Sequence, residues 1–114
     1  MQQRIHVLTL AVEDLDRAVG FYRDGLGLET PGVGGTEFPG DDVNPAGAVA
    51  MFQLQGGLIL ALYPRTELAK DANLPPGPRG GVEFSIGHAV ADKAEVGALL
   101  AQAESAGASL TGVP

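Results

Sequence analysis

The stretch of sequence that decides the fold is Ile5–Leu28, IHVLTLAVEDLDRAVGFYRDGLGL. Residues Ile5–Val12 are mostly apolar or β-branched at both odd and even positions, which predicts a strand covered on both faces. Asp14 offers a side-chain oxygen to the free N–H groups of a following helix. Gly25 and Gly27 end that helix, because glycine enters the left-handed cap at little cost. The apolar residues at helical spacing are Leu15, Ala18, Val19 and Tyr22.

The composition is that of one globular domain without disulfide bonds. Of the 114 residues, 45% are hydrophobic and 18% charged, and there is no cysteine to bind a metal or act as a nucleophile. The net charge of −7 would be repelled by a phosphate backbone or an anionic membrane, so we expect no nucleic-acid or membrane partner. No apolar run approaches the roughly 18–20 residues of a membrane helix. The N-terminus also lacks the apolar region of a signal peptide, so we expect a cytoplasmic protein.

A hairpin follows a long loop. Residues Glu29–Gly47 are rich in proline and glycine, which predicts a loop with a short strand near Thr36–Phe38. The Gly56-Gly57 pair predicts a two-residue turn between strands Ala48–Gln55 and Leu58–Pro64. In that register one sheet face carries Leu54, Phe52 and Ala50 opposite Ile59, Ala61 and Tyr63. The other face carries Val49, Met51, Leu60 and Leu62.

The second half of the chain repeats the beginning of the first half. Arg65–Gly81 is polar and ends in a proline–glycine cluster, which predicts a connector. We then expect a strand at Val82–Val90, a helix at Lys93–Ala106 capped by Asp92, and the start of another strand at Ala108–Val113. The inner face of the helix would carry Val96, Leu99, Leu100 and Ala103, and Gly107 would end it. The repeated segments are Ala11-Val12-Glu13-Asp14 and Ala89-Val90-Ala91-Asp92.

Three segments of the chain have the pattern of a known family: LTLAVEDLDRAVGFYRDGLGL (Leu8–Leu28), MFQLQGGLILALYP (Met51–Pro64) and GVEFSIGHAVADKAEV (Gly81–Val96). They resemble the vicinal oxygen chelate superfamily of glyoxalase I, bleomycin-resistance and fosfomycin-resistance proteins, and extradiol dioxygenases. The resemblance implies an α+β fold in which two βαβββ modules form an open barrel around a cavity. Residues 1–66 would be the first module, 67–81 the connector and 82–114 the start of a truncated second module. Because such modules assemble as dimers, we expect a homodimer.

The resemblance implies that the second module is completed elsewhere. Family members end that module with three strands and an acidic residue near the end. An open half-barrel would leave an apolar sheet edge exposed. We therefore expect the closing strands either in residues that follow Pro114 in a longer chain, which we favour, or in a second chain.

The resemblance also implies where a metal would be bound. Metal-binding family members use a His on the first strand of each module, five residues before the Val of Val-x-Asp-Leu, and that position is Val7 in the first module and Ser85 in the second. The Glu position of the hairpin falls near Ala61. Valine and alanine offer no ligand atom, and His6 and His88 have the wrong strand parity, so we expect no metal cofactor.

We therefore predict a metal-free protein that binds a small organic molecule in the barrel cavity. Among the carboxylates, Glu83 has the strand parity to face that cavity. The catalytic residues, if any, are unassigned. The predicted ligand-binding residues are Val7, Thr9, Phe52, Ala61, Tyr63 and Ser85.

Two alternatives remain open at the level of sequence. One is a lyase or dioxygenase with a non-standard metal site that includes His6 or His88, and the other is a catalytically silent dimer. The loop carboxylates and two connector arginines fit solvated surface positions better than a cation or anion site. These residues are Glu37, Asp41, Asp42, Arg65 and Arg79.

Overall fold

The computed structural model describes residues 1–78 and 85–111, which form a mixed sheet and its flanking helices. The strands are β1 (Val7–Val12), β2 (Val33–Gly34), β3 (Val49–Gln53) and β4 (Ile59–Pro64). The α-helices are α1 (Leu15–Val19), α2 (Arg65–Asp71) and α3 (Lys93–Ser105). The order β1-α1-β2-β3-β4 is the βαβββ order of the predicted first module, so the α+β class is confirmed.

The four strands lie in the order β1-β4-β3-β2. Strand β1 runs parallel to β4, while β3 is antiparallel to both β4 and β2. The parallel pair needs a crossover, which begins with α1 on one face of the sheet. Within the described residues the sheet does not close, and β1 and β2 form its two edges.

The hydrophobic core lies between α1 and one face of the sheet. Phe52 and Leu62 are fully buried at its centre. The ring of Tyr22 lies over this cluster, with its centroid 6.1 Å from that of Phe52. The buried members of the cluster are Leu10, Val19, Ala50, Phe52, Leu60 and Leu62.

Helix α1 begins at its predicted cap. The Arg17 N–H donates to the Asp14 carboxylate at 3.1 Å, which satisfies one of the free donors of the first turn. The helix then widens into a π-helical turn at Gly20–Gly25. Gly27 follows with a φ of +80°, so the predicted left-handed stop is present at this residue. Gly25, the other predicted stop, has no positive φ and is the last residue of the π-helical turn.

In the described part of the chain, strand β1 is covered on one face, which corrects the prediction of cover on both. Leu10 is buried against α1, but Thr9 and Ala11 on the other face are exposed. Val7 is 46% and Leu8 37% exposed. The strand's own sequence shows that both faces are apolar enough to be buried. It does not show whether another part of the chain packs on each face, and this is why the prediction was wrong.

The hairpin has a three-residue loop at Gln55–Gly57, not the predicted two-residue turn. Both Gly56 and Gly57 have positive φ as expected, but the Leu54 N–H donates to the Leu58 carbonyl at 2.9 Å. The extra residue shifts the register by one and exchanges the faces of β4 relative to β3. The observed pairs are Ala50 with Leu62, Met51 with Ala61, Phe52 with Leu60 and Gln53 with Ile59.

The short strand of the long loop lies earlier than predicted. Strand β2 is Val33–Gly34, whereas Thr36–Phe38 lies in a turn in which the Phe38 N–H donates to the Gly35 carbonyl at 3.1 Å. Gly35 has a φ of +74°, and a Cβ there would lie 2.1 Å from the Gly47 carbonyl oxygen. The two glycines thus let the loop ends meet, which closes the segment 35–47 into a compact loop.

The predicted connector begins with helix α2, which the sequence analysis missed. The helix has no side-chain cap and starts directly after Pro64, so the usual start signal is absent. It ends where Asn73 takes a left-handed φ of 56°. Lys70 pairs with Glu67 at 2.9 Å, three residues earlier. Opposite charges at this spacing are typical of a helix, and they were the feature of the sequence that could have predicted α2.

The second half of the chain contains the predicted helix, α3, but its described residues do not form the two predicted strands. In α3 the Glu95 N–H donates to the Asp92 carboxylate at 2.9 Å, and Gly107 has a φ of +113°. No residue of α3 is buried, and Val96 on the predicted inner face is 38% exposed. Residues 85–90 and 108–111 are not in strands, and the rest of those two predicted strands lies outside the described residues.

None of the helices in residues 1–78 and 85–111 combines the length and apolar character needed to cross a membrane.

Candidate ligand groove

The outer face of the sheet, opposite α1, forms an open groove with a volume of about 270 Å³. Strands β1, β3 and β4 supply its floor, and Leu68 and Asp71 of α2 form one wall. Gly47, the last residue of the compact loop 35–47, forms another part of the rim. The complete lining is Val7, Thr9, Gly47, Val49, Met51, Ala61, Tyr63, Leu68 and Asp71.

The register of the hairpin creates this floor. Because Met51 lies opposite Ala61, both point away from the core that Phe52 and Leu60 occupy. Thr9 pairs with Ala61 on the other side and extends the same face across three strands. The floor is therefore apolar apart from the hydroxyl groups of Thr9 and Tyr63, and the small side chain of Ala61 leaves room above the sheet.

Tyr63 connects the groove to the loop 35–47. Its hydroxyl group donates to the Ala46 carbonyl, next to Gly47 on the rim. On the far side of the loop, the Lys70 ammonium donates to the Asp41 carbonyl at 2.9 Å. These two hydrogen bonds hold the loop against the sheet and α2. Side chains from β4 and α2 therefore fix the position of the rim.

Asp41 fixes the internal shape of the same loop. Its carboxylate accepts the side-chain amide of Asn44 at 2.9 Å and the backbone N–H groups of Asn44 and Val43 at 2.7 and 2.9 Å. These hydrogen bonds, led by that of the Asn44 side chain, lower the pKa of Asp41 to about 2. The carboxylate is thus engaged within its own loop and does not face the groove.

The polar end of the groove is negative. Asp71 lies on its wall, whereas Lys70 points to Glu67 and to the loop. The pKa of Tyr63 is raised, first by desolvation and then by the charges of Asp71 and Glu67, with Lys70 acting in the opposite direction. The hydroxyl group of Tyr63 therefore stays protonated, as its hydrogen bond to the Ala46 carbonyl requires.

The structure brings four of the six predicted ligand-binding residues together. Val7, Thr9, Ala61 and Tyr63 all line the groove. Phe52 lies on the opposite face of the sheet with 0% exposure, because the register differs from the predicted one. Ser85 is exposed in an irregular segment and does not line the groove. Glu83 and Arg79 lie outside the described residues.

The remaining lining residues were missed for separate reasons. Val49 and Met51 have the right strand parity once the three-residue loop is known, so the correct register would have found them. Leu68 and Asp71 line the groove because they lie on α2, a helix that was not predicted from the sequence. Gly47 lies on the rim because it contacts Gly35, and no local sequence pattern predicts a contact between these two residues.

The residues of the groove do not fit a divalent-cation site. Val7 and Ala61, at two positions where the family places ligands, lie on the groove floor with apolar side chains. His6 precedes β1 and is exposed, as is His88. Within residues 1–78 and 85–111, no three His, Asp, Glu or Cys side chains lie close enough to hold a metal ion.

A second depression, of about 340 Å³, lies on the opposite side of the molecule between α1 and the end of α3. Charged side chains at the start of α1, including Glu13 and Arg17, stand along its rim. Glu13 pairs with Arg65 at 3.3 Å. This depression lies beside the contact between α1 and α3, and none of the six predicted ligand-binding residues lines it. Four of them line the first groove, so the first groove is the candidate site.

The family model for the Glyoxalase/Bleomycin resistance protein/Dioxygenase superfamily matches residues 4–114, so the chain belongs to this superfamily. The resemblance stated from the sequence is therefore confirmed. The comparison with curated proteins gives no match.

Solved structures show the same fold. A glyoxalase-related enzyme from Fulvimarina pelagi is 24% identical with a TM-score of 0.69, covering 92% of this chain and 66% of its own. A hypothetical protein from S. aureus is 20% identical with a TM-score of 0.65, covering 94% and 72%. A lactoylglutathione lyase from Agrobacterium tumefaciens is 29% identical with a TM-score of 0.53, covering 90% and 69%. The chain thus spans just under two thirds of the length of the Fulvimarina protein.

Proposed function

We propose that this chain binds a small organic molecule in the open groove and that it does so without a metal ion. The observation that carries the proposal is the groove itself, which has an apolar floor and a polar end at Tyr63 and Asp71. Binding sites for small molecules commonly combine a mostly apolar lining with a few polar groups. The apolar side chains of Val7 and Ala61 support binding by burial of apolar surface rather than by metal coordination.

A ligand screen with a groove-filling variant tests this function. The compounds are dicarbonyls, thiol conjugates, catechols and glycopeptide antibiotics, and the measurement is the shift of the unfolding temperature. A compound that binds the native state in preference to the unfolded state raises that temperature by mass action. Thr9→Trp places a large ring on the groove floor, and Ala98→Trp on the exposed surface of α3 is the matched control. We expect a shift that Thr9→Trp abolishes and Ala98→Trp preserves.

Lyase chemistry is the second candidate, because the Agrobacterium protein that is 29% identical is a lactoylglutathione lyase. In this chain such chemistry would need ligands from His6 or His88, since Val7 and Ala61 supply none. Turnover of a thiol hemiacetal that depends on an added divalent cation and is lost in His6→Ala would support the lyase. A ligand-induced shift without turnover supports the binding protein.

We also propose that the chain forms a homodimer. The outer edge of β1 pairs with no strand among the described residues, and Val7 and Leu8 beside it are exposed. A second copy would cover this edge. Sedimentation velocity should show a dimer that Leu8→Lys weakens, whereas a monomer at every concentration contradicts it. A dimer that shifts with none of the screened compounds would favour a catalytically silent dimeric protein.

A further inference from the structure

The open groove contains one charged group among residues 1–78 and 85–111, the carboxylate of Asp71. This residue is the last of α2, where the helix carbonyls already give the end of the helix a partial negative charge. A carboxylate at a helix C-terminus opposes helix stability, so this position is not explained by the stability of α2. It does, however, place a negative charge at the edge of an apolar floor.

The basic side chains of α2 do not neutralise this charge. Lys70 lies 2.9 Å from the Glu67 carboxylate and 2.9 Å from the Asp41 carbonyl, so it is directed to the loop. Arg65 at the start of the helix lies 3.3 Å from Glu13 and donates to the Gly77 carbonyl. Neither Lys70 nor Arg65 lines the groove. The described part of the groove therefore carries a net negative charge.

The neighbouring groups suit a cation with an apolar body. Tyr63 lines the groove with Asp71, and an aromatic ring attracts a cation placed over its face. The pKa of Tyr63 is raised first by desolvation and then by the charges of Asp71 and Glu67, with Lys70 acting in the opposite direction. Met51 offers a polarisable thioether on the floor, which adapts to apolar groups of varied shape.

We infer that the ligand of the open groove is a small organic cation, with its ammonium group beside Asp71 and its apolar part on the sheet floor. This inference rests on the proposed binding function and narrows it to one class of ligand. A carboxylate-bearing conjugate of similar size would be repelled by the same residue, so the charge of the ligand is the property that the groove selects.

Three probes of equal chain length test the inference: phenylbutylamine, phenylbutanol and phenylbutanoate. Their dissociation constants are measured with the full chain by chemical-shift titration of Thr9, Met51 and Tyr63. Because Asp71 is exposed, its attraction is modest, and we expect the amine to bind about two- to fivefold more tightly than the alcohol. The carboxylate should bind most weakly, and added salt should reduce the differences.

Two isosteric variants locate the effect. Asp71→Asn should weaken binding of the amine about two- to fivefold and leave the alcohol unchanged. Asp16→Asn removes the same charge from the exposed start of α1, on the other face of the sheet, and should leave all three affinities unchanged. This control separates the local effect of Asp71 from the overall charge of −7.

The outcomes separate the inference from the proposed function. Equal binding of the three probes, or tightest binding of phenylbutanoate, overturns the cation inference and leaves small-molecule binding in place. An amine preference that survives Asp71→Asn also overturns it, because the preference would then come from elsewhere. If no probe shifts the groove signals while the ligand screen also gives no shift, the proposed function fails, and the cation inference fails with it.

Discussion

Tyr63 is the residue that joins the sheet to the rim of the groove. Its hydroxyl group donates to the Ala46 carbonyl, and this bond crosses from β4 to the loop 35–47. Tyr63→Phe removes the donor and keeps the ring, so we expect a loss of about 1 kcal/mol in the free energy of unfolding. Hydrogen exchange should also accelerate at Gly47, whose N–H donates to the Phe38 carbonyl.

Tyr22→Phe is the matched control for this prediction. Tyr22 packs over Phe52 in the core, and its ring is not part of the loop or the groove. We expect exchange at Gly47 to stay unchanged in this variant. Equal exchange rates in Tyr63→Phe and the unmodified chain would show that the hydroxyl group does not hold the loop.

Asp41 gives the loop a dependence on acidity. Its pKa is about 2 in the folded chain, against roughly 3.9 for an unperturbed aspartate. A lowered folded-state pKa means that the carboxylate's contribution to stability is present above about pH 4 and is lost as the pH falls towards 2. An NMR titration of the carboxyl carbon should therefore give a midpoint near 2.

Asn44→Ala is the variant that checks the cause. The hydrogen bond from the Asn44 side chain is the largest contribution to the lowered pKa, so its removal should raise the midpoint towards the usual range. The titration contradicts the loop geometry if the unmodified chain already titrates near 4, or if Asn44→Ala leaves the midpoint unchanged.

Residue-scale features were the most predictable part of the molecule. Asp14 and Asp92 cap α1 and α3 as expected, because a cap depends on a residue and the N–H groups within three positions of it. The glycine stops at Gly27 and Gly107 are equally local. Asp71 was not assigned a role, because its place on the groove depends on where the missed helix α2 lies. Asp41 was interpreted as a solvated surface residue, although its hydrogen bonds to Val43 and Asn44 are local.

At the scale of elements, the hairpin register decides which residues face the groove. Met51 lies directly opposite Ala61, whereas Leu62 points to the other face. Directly opposed residues have Cβ atoms about 4.5–5.5 Å apart, which is close enough for a disulfide after modest adjustment. The variant with Met51→Cys and Ala61→Cys should therefore oxidise to an intramolecular disulfide, as measured by thiol titration and mass spectrometry.

The chain contains no cysteine, so the two introduced thiols have no competing partner. Met51→Cys with Leu62→Cys is the pair that the two-residue turn would favour, and it should stay reduced. A second opposed pair, Gln53→Cys with Ile59→Cys, should also oxidise. Oxidation of the Met51 and Leu62 pair but not of the Met51 and Ala61 pair would establish the other register.

The packing of α3 on the π-helical turn depends on one glycine. A Cβ at Gly25 would lie 2.3 Å from the Ala106 Cβ, and the Gln102 side-chain amide donates to the Gly25 carbonyl at 3.0 Å. Gly25→Ala should therefore push the end of α3 away and lower the free energy of unfolding by about 1–3 kcal/mol. Chemical denaturation measures this loss.

A compensating change distinguishes a steric cause from a backbone cause. Gly25→Ala combined with Ala106→Gly removes the clash, so it should recover part of the lost stability. Gly97→Ala, in the exposed part of α3 where a Cβ meets no atom within 4 Å, should not destabilise the chain. No recovery in the double variant would mean that the loss comes from the helical turn itself.

The elements show where local sequence patterns stop being sufficient. The Gly56-Gly57 pair correctly indicated a turn, but whether Gln55 belongs to the loop or to the strand depends on which register buries Leu60 and Leu62 against α1. Helix α2 was missed because it lacks a capping side chain and is packed against β4. Its existence depends on tertiary contacts more than on propensity.

At the scale of the whole molecule, the sheet has two different faces. One face is closed by α1 over Phe52 and Leu62. Among residues 1–78 and 85–111, the other face is bordered by α2 and the loop 35–47 and is left open as the groove. The repeat and the family signature predicted the module and the presence of a cavity. They did not predict that Asp71 would stand at its edge, because that placement combines the missed helix with the corrected register.

The described lining of the groove offers too few ligand atoms for a metal ion, so removing metal should not change the protein. Val7 and Ala61 present no ligand atoms on the floor, and Asp71 alone cannot hold a divalent cation against water. Protein purified without chelator should therefore contain less than stoichiometric Ni, Zn, Fe or Mn, and chelator should not change its unfolding temperature. His6→Ala should have the same metal content as the unmodified chain. A stoichiometric metal that is lost in His6→Ala or His88→Ala would overturn the metal-free proposal, because ligands from outside the groove floor would then complete the site.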